Sequence, residues 1–127
     1  MTLTFGYSTQ HEPPAPVLTV AVSVPSDLAK PTVEMSALCD SGADLTCLPA
    51  DVIERLGLLE VDEVEIAGYD GRTKLRPLYA ARLDVAGGHS QIVRFVPTTS
   101  GDALLGRDVL NSLRLELDGP ARKLTLL

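Results

Sequence analysis

Short runs of apolar and polar residues follow one another along the chain, and residues typical of turns separate these runs. Residues 17–24 read Val-Leu-Thr-Val-Ala-Val-Ser-Val, and 33–39 form a second apolar run. Such runs, rich in β-branched residues, predict strands, here joined by a loop over 25–31. Further strands are predicted over 61–69, 72–85 (with Pro77 as a potential break), 91–96, 103–105, 113–117 and 122–127. Many short strands with turns between them predict a closed, barrel-like β domain.

Two short helices are predicted between these strands. Pro49 precedes residues 50–56, which place apolar side chains at helical spacing, and proline is tolerated at a helix start. Gly57 then suits the C-terminal cap. A second helix is predicted over 107–113. The predicted fold class is therefore mainly β, with one or two short helices.

Length and composition bound the class of protein. The chain has 127 residues, of which 45% are hydrophobic and 4% aromatic, with no Trp, so an aliphatic core is expected. We predict a flexible N-terminal arm over 1–16, where Thr2 to Tyr7 could instead pair as an edge strand, and one domain over 17–127. The net charge of -6 argues against binding of nucleic acid, which needs clustered Lys and Arg.

Targeting and metal signals are also missing from the sequence. No apolar run is long enough to cross a membrane, and residues 1–5 lack the pattern of a signal peptide. A cytoplasmic location is therefore expected, with Cys39 and Cys47 as reduced thiols that pack as small apolar residues. Neither these cysteines nor the two histidines show metal-site spacing, so no metal or other cofactor is predicted.

The chemistry centres on Asp40, which ends the apolar run 33–39 and is followed by Ser41 and Gly42. A carboxylate at the end of a buried strand is costly unless it has a use, and a short stiff loop suits a catalytic acid or base. Asp-Ser-Gly alone is an ordinary turn tripeptide. Downstream, however, residues 103–110 read Ala-Leu-Leu-Gly-Arg-Asp-Val-Leu.

The two motifs, in this order and at this separation, resemble the retropepsin family of aspartic proteases over most of the chain. The resemblance implies a retropepsin (acid protease) fold and an endopeptidase that hydrolyses peptide or protein substrates, with Asp40 as the catalytic carboxylate. Because the chain holds one Asp-Ser-Gly motif, the second carboxylate must come from a second copy, so a homodimer is implied. A water would be activated between the two Asp40 side chains.

The resemblance also implies supporting roles around Asp40. In the family, the hydroxyl group at the position of Ser41 forms a hydrogen bond across the dimer interface. The backbone of Gly42 is expected to contact substrate or water, and Asp44 is expected to form an ion pair with Arg107. Gly106 is expected to pack closely beneath the active site, and the C-terminal strand is expected to join the partner chain. The residues expected to support the active-site loop are Ser41, Gly42, Ala43, Asp44, Gly106 and Arg107.

A hairpin between the two motifs has the position of the flap that covers substrate in aspartic proteases. Asp70-Gly71 predicts a two-residue turn at its tip. The candidate substrate-binding residues are Gly68, Tyr69, Asp70 and Gly71. The hairpin equally fits a plain surface hairpin, and it holds less glycine than the retroviral flap.

Two other functions stay open at this point. A retropepsin-like domain could serve as a catalytically silent dimerisation or peptide-binding module, since fold does not settle function. An unrelated small β-barrel that binds a ligand would require both motifs to be coincidental. The intact Asp-Ser-Gly favours the enzyme, because a silent domain has no need of this carboxylate.

Overall fold

The computed structural model describes residues 2–26, 32–68 and 70–127 and shows the predicted mainly β fold. The elements, in chain order, are β1 (Leu3–Gly6), β2 (Val17–Ser23), β3 (Val33–Cys39), β4 (Cys47–Pro49), α1 (Asp51–Leu56), β5 (Glu60–Ala67), β6 (Thr73–Val85), β7 (His89–Thr98), β8 (Ala103–Leu105), α2 (Arg107–Leu110), β9 (Leu115–Asp118) and β10 (Lys123–Leu126).

Six strands close into a barrel in the order β2-β3-β8-β4-β7-β6. Closure comes from antiparallel pairing of β2 with β6, which runs from Val20 opposite Val85 to Ser23 opposite Arg82. Alternate residues of a strand point to one face, so each strand delivers every second side chain to the interior. The fully buried side chains include Leu18, Leu83 and Phe95. The predicted aliphatic core is confirmed, and among the described residues Phe95 is the one aromatic side chain that is fully buried in it.

The hairpin β5–β6 extends from the barrel, with β5 as an outer strand whose one partner among the described strands is β6. β6 continues through Pro77, so the potential break there is absent. The Gly68 amide donates to the Arg72 carbonyl oxygen (2.9 Å), and the Gly71 amide donates to the Gly68 carbonyl oxygen (3.0 Å). The turn is thus longer than the predicted two-residue Asp70-Gly71 turn. Gly71 takes a φ of 77°, which glycine adopts without strain.

The chain termini form a second sheet in the order β1-β10-β9. Of the two expectations for residues 1–16, a loose arm or an edge strand, the structure shows a strand in Leu3–Gly6, whose Phe5 packs on the core. The expectation that the C-terminal strand joins a partner chain is wrong for β10. Both edges of β10 are occupied within the chain, one by β1 and the other by β9.

The two helices match their predictions with one correction. α1 buries Val52 and Leu56, and Gly57 follows its last residue with a φ of 67°, which confirms the predicted cap. α2 ends at Leu110, three residues before the predicted end. After Leu110 the chain continues in a tighter turn of the 3₁₀ type. The Ser112 amide donates to the Val109 carbonyl oxygen, and the Leu113 amide donates to the Leu110 carbonyl oxygen, so each bond spans three residues.

Candidate active site

Asp40 lies where the chain leaves β3 and crosses the end of β8. β8 pairs in parallel with β3 and antiparallel with β4, so the loop over 40–46 must pass over the end of β8. The Asp40 amide donates to the Leu105 carbonyl oxygen (3.0 Å), which extends the β3–β8 ladder by one residue. The side chain of Asp40, a half-buried residue, therefore starts from a fixed backbone position.

A tight turn orients the Asp40 carboxyl group. The Ala43 amide donates to the Asp40 carbonyl oxygen (3.2 Å), and the Gly42 amide donates to Asp40 Oδ1 (2.9 Å). A Cβ atom at Gly42 would lie 3.1 Å from Oδ1, so glycine lets the backbone approach the carboxylate closely. Ser41, between them, is exposed. One carboxylate oxygen is thus held by the backbone, at the open side of the loop.

Arg107 clamps this loop at three points. Its backbone amide donates to the Ala43 carbonyl oxygen (2.9 Å), its Nη1 donates to the Ser41 carbonyl oxygen (2.7 Å), and its Nη2 donates to Asp44 Oδ1. The ion pair expected between Arg107 and Asp44 is therefore present. Both side chains are exposed, so the charge pair adds little net stability. The ion pair instead fixes the shape of the loop, because the guanidinium group binds the Ser41 carbonyl oxygen and the Asp44 carboxylate at the same time.

Gly106 packs directly beneath the loop. A Cβ atom built on Gly106 would lie 2.6 Å from the carbonyl carbon of Leu45 and 2.8 Å from its oxygen. These are backbone atoms, which cannot rotate away as a flexible side chain could. Only glycine therefore allows the loop to lie this close to the end of β8, as the sequence analysis predicted for this position.

Thr46 and Asp108 form a second anchor that the sequence analysis did not identify. Thr46 is fully buried, and its hydroxyl donates to Asp108 Oδ1 (2.8 Å) while accepting from the Gly106 amide (3.2 Å). The Thr46 amide also donates to Asp108 Oδ2 (3.2 Å). The signal in the sequence was weak: Asp108 directly follows the Gly-Arg pair, and Thr46 stands between apolar residues.

A cavity of about 500 Å³ separates the Asp40 loop from the β5–β6 hairpin. Its apolar walls include Ala43 and Leu45 from the loop, Cys47 from β4, Val96 from β7 and Ala67 from the hairpin. An extended peptide side chain would fit between these walls. The cavity therefore provides a binding space next to the Asp40 turn.

Of the residues at the hairpin tip, the described ones, Gly68, Asp70 and Gly71, do not border this cavity. Gly68 and Asp70 line a separate cavity, formed by the hairpin's own residues. Tyr69 lies outside the described residues. Contact of Gly68, Asp70 and Gly71 with substrate stays a prediction.

The two cysteines flank the loop as protonated thiols. Burial raises the pKa of Cys39 to about 11. Burial also raises the pKa of Cys47, helped by the charge of Asp108 and opposed by that of Arg76. Both groups therefore act as apolar surface at neutral pH. Among the described residues, no group of three or more His, Cys, Asp or Glu side chains could hold a metal ion.

No helix within the described ranges is long and apolar enough to cross a membrane. A search of curated protein sequences finds no match to the chain.

Three solved structures resemble the fold. A retropepsin-like aspartic protease from Rickettsia conorii superposes with a TM-score of 0.62 at 14% identity, covering 99% of this chain and 90% of that one. The EIAV protease, complexed with the inhibitor HBY-793, gives a TM-score of 0.58 at 19% identity, covering 85% and 93%. A foamy viral protease-reverse transcriptase, in complex with an RNA/DNA hybrid, gives 0.55 at 20% identity. The match covers 80% of this chain but only 13% of the viral chain.

A family model places the chain more firmly than these distant structures do. The model of the gag-polyprotein putative aspartyl protease family matches residues 31–112, nearly two thirds of the chain. The matched range holds both the Asp40 turn and the Gly106-Arg107 pair beneath it. The chain therefore belongs to this family of retropepsin-like aspartic proteases.

Proposed function

We propose that the protein is an aspartic endopeptidase that acts as a homodimer, with one Asp40 carboxyl group from each chain. The observation that carries the proposal is the position of Asp40. Asp40 is a half-buried residue, its carboxyl group is held by the Gly42 amide, and it is set on a loop that Arg107 and Thr46 anchor from below. Such anchoring keeps a catalytic group in one geometry, which catalysis by positioned acids and bases requires.

The mechanism follows from two carboxyl groups that share one proton. Close like charges disfavour ionisation of both groups, so the pair holds one proton over a range of pH. The ionised Asp40 takes a proton from water as the water oxygen attacks the peptide carbonyl carbon. The protonated Asp40 of the other chain gives its proton to the carbonyl oxygen. As the tetrahedral intermediate collapses and the C–N bond breaks, the carboxyl group that took the water's proton gives it to the leaving nitrogen. The other carboxylate takes a proton from a hydroxyl group of the intermediate, so the pair again holds one proton.

An apolar surface beside the Asp40 loop supports the dimer. Cys39 and Ser41 border a shallow cavity whose other walls are Leu110, Leu113, Leu115 and Leu117. Leu117, on β9, is 56% exposed, and β9 pairs only with β10 among the described strands. An exposed leucine surface with a free strand edge favours association with a second chain. Because Ser41 borders this surface, a two-fold contact here would bring two Asp40 turns together.

Asp40→Asn tests the catalytic role. The amide keeps the shape of the carboxyl group but cannot act as a base, so we expect hydrolysis of a peptide library to be abolished. Circular dichroism and sedimentation should show an unchanged fold and dimer. A purified Asp40→Asn protein with activity near wild type would remove Asp40 from the mechanism. A wild-type protein that binds but does not cleave peptides would favour the silent module instead.

A dilution and mixing series tests the shared site. Well below the dimer dissociation constant, activity should scale with the square of protein concentration, because the dimer population does. Excess Asp40→Asn chains, after subunit exchange, should lower wild-type activity beyond simple dilution, because the mixed dimers hold one carboxyl group. Activity that stays linear where sedimentation shows only monomer would mean that a single chain holds the complete site.

A further inference from the structure

We infer that a row of cations on the β5–β6 hairpin makes the protein select substrates with an Asp or Glu a few residues from the scissile bond. The row consists of Arg72, Lys74 and Arg76, which stand at every second position where β6 begins. The inference rests on the proposed peptidase function and adds a substrate class to it.

The strand register places this cationic row on the cleft side of the hairpin. Arg76 pairs with Val64, and Lys74 pairs with Ile66. Directly paired residues lie on the same side of a hairpin, and both Val64 and Ile66 border the cavity beside the Asp40 loop. Alternate residues of a strand share a face, so Arg72 follows Lys74. All three cations therefore face the cleft.

The barrel gives the same assignment from its own strand pairs. Tyr79 of β6 pairs with Phe95 of β7, which is fully buried in the core. The residues of β6 that alternate with Tyr79 therefore share the outer face with Val96, and Val96 borders the cavity beside the Asp40 loop. Burial raises the pKa of Cys47, another wall of this cavity, and the positive charge of Arg76 opposes that rise. Arg76 thus lies close enough to act on the cleft.

The cationic row lines a cavity of about 590 Å³ that adjoins the one beside the Asp40 loop. The two cavities share Ile66 and Ala67 as walls, so a peptide in the first cavity would reach the second within a few residues. The two Asp40 carboxyl groups together carry one negative charge, which would repel an acidic side chain at the scissile bond. The adjoining cavity therefore suits an acidic side chain better than the first.

Lys74 and Arg76 keep their charges available to a ligand. Neither forms an ion pair with any residue that the structure describes. Arg76 Nη2 donates to the Pro97 carbonyl oxygen (2.7 Å), which orients the guanidinium group and uses one of its five N–H donors. Arg72 lies 3.8 Å from the Asp70 carboxylate, so its charge is already partly neutralised. Lys74 and Arg76 are therefore the main candidates for contact with a carboxylate.

The acidic residues of the hairpin do not cancel this charge. Asp62 pairs with Leu78 and so faces the cleft, but Arg94 neutralises it at 3.3 Å. Glu63 and Glu65 pair with odd-numbered residues of β6, so their side chains lie on the opposite face. The net charge of -6 opposes a long polyanion, so the cationic row suits a short acidic segment of a peptide.

The test uses one cleavable peptide in which each position around the scissile bond is in turn Glu, Gln or Lys. We expect a position, away from the scissile bond, where Glu raises kcat/KM about tenfold over Gln, as a charge-assisted hydrogen bond would provide. Lys at that position should lower kcat/KM. Because the dimer holds two hairpins, the same preference should recur on the other side of the scissile bond.

Substitutions assign the preference to the cationic row. Lys74 is exposed, so Lys74→Gln should leave the fold unchanged and reduce the Glu preference to about threefold, as expected for one exposed ion pair. Adding Arg76→Gln should bring the Glu and Gln peptides within about twofold. Lys123→Gln is the matched control, because it removes an exposed lysine from β10 in the other sheet. Its Glu preference should equal that of the wild type. A Glu preference that Lys74→Gln leaves unchanged would overturn the inference.

A binding measurement separates this inference from the proposed catalysis. Fluorescent Glu and Gln peptides are titrated into the Asp40→Asn protein, with and without Lys74→Gln, at low and high salt. We expect tighter binding of the Glu peptide, weakened by Lys74→Gln and by salt. Cleavage without a Glu preference at any position would overturn the inference and leave the peptidase standing. Selective binding without wild-type cleavage would support the inference and refute the peptidase. Equal binding of both peptides, or binding of neither, would overturn the inference.

Discussion

Replacement of Thr46 by valine tests whether the buried anchor holds the Asp40 loop. Valine has nearly the shape of threonine, so the substitution removes the hydroxyl group and leaves no cavity. Thr46 is 0% exposed, and its hydroxyl donates to Asp108 and accepts from the Gly106 amide. Thr46→Val therefore leaves a carboxylate and a backbone amide without these partners.

The expected cost follows from the two lost hydrogen bonds. A bond to a charged group contributes about 1.5–3 kcal/mol and a neutral bond about 0.5–1.5 kcal/mol. Asp108 keeps its bonds from the Val109 and Thr46 amides, at 3.0 Å and 3.2 Å, so the lower part of the range applies. We expect the free energy of unfolding to fall by about 2–3 kcal/mol. For a chain of this length, the melting temperature should fall by about 6–12 °C.

Urea unfolding, followed by circular dichroism at one fixed protein concentration, measures this loss. Thr19→Val is the matched control, because Thr19 is exposed on β2 and its substitution should change stability by less than about 0.5 kcal/mol. A double-mutant cycle of Thr46→Val with Asp108→Ala should show coupling of about 1–2 kcal/mol. A Thr46→Val protein as stable as wild type, or additive effects in the cycle, would refute the anchor.

Three further substitutions probe the same region. Gly106→Ala should lower the free energy of unfolding by about 1–3 kcal/mol or more, because the added Cβ would meet the Leu45 backbone. Urea unfolding measures this loss. Gly119→Ala is the control and should show no such loss, because a Cβ there meets nothing within 4 Å. Arg107→Lys keeps the charge but loses the guanidinium fork, so sedimentation should show a weaker dimer. The free energy of unfolding, measured in urea, should change less than the free energy of dimerisation. Equal changes in the two free energies would contradict this prediction. Burial raises the Cys39 pKa from 9.0 to about 11, so the stability this thiol contributes is present below pH 9 and lost as pH rises through 11. The difference in unfolding free energy between wild type and Cys39→Ala should fall over that window, and a difference independent of pH would refute the assignment.

Local sequence patterns determined the elements of this fold and its candidate catalytic residue. Apolar alternation marks a strand because successive side chains point to opposite faces, so the strand over 33–39 that delivers Asp40 could be predicted. The Gly57 cap was predictable for the same local reason, since a left-handed residue ends a helix there. The turn after Gly68 was predicted too short, because its length depends on which residues of β5 and β6 pair.

Only the tertiary structure decided which distant residues meet. Thr46 and Asp108 are 62 positions apart, and nothing local in either segment specifies their contact. They meet because β8 lies between β3 and β4, which carries the loop over the start of α2. Likewise, nothing local in β10 specifies its pairing with β1, which comes from the opposite end of the chain. The order of the strands depends on the apolar area that the whole barrel buries. A short stretch of sequence contributes only part of that burial energy, so it does not specify the order.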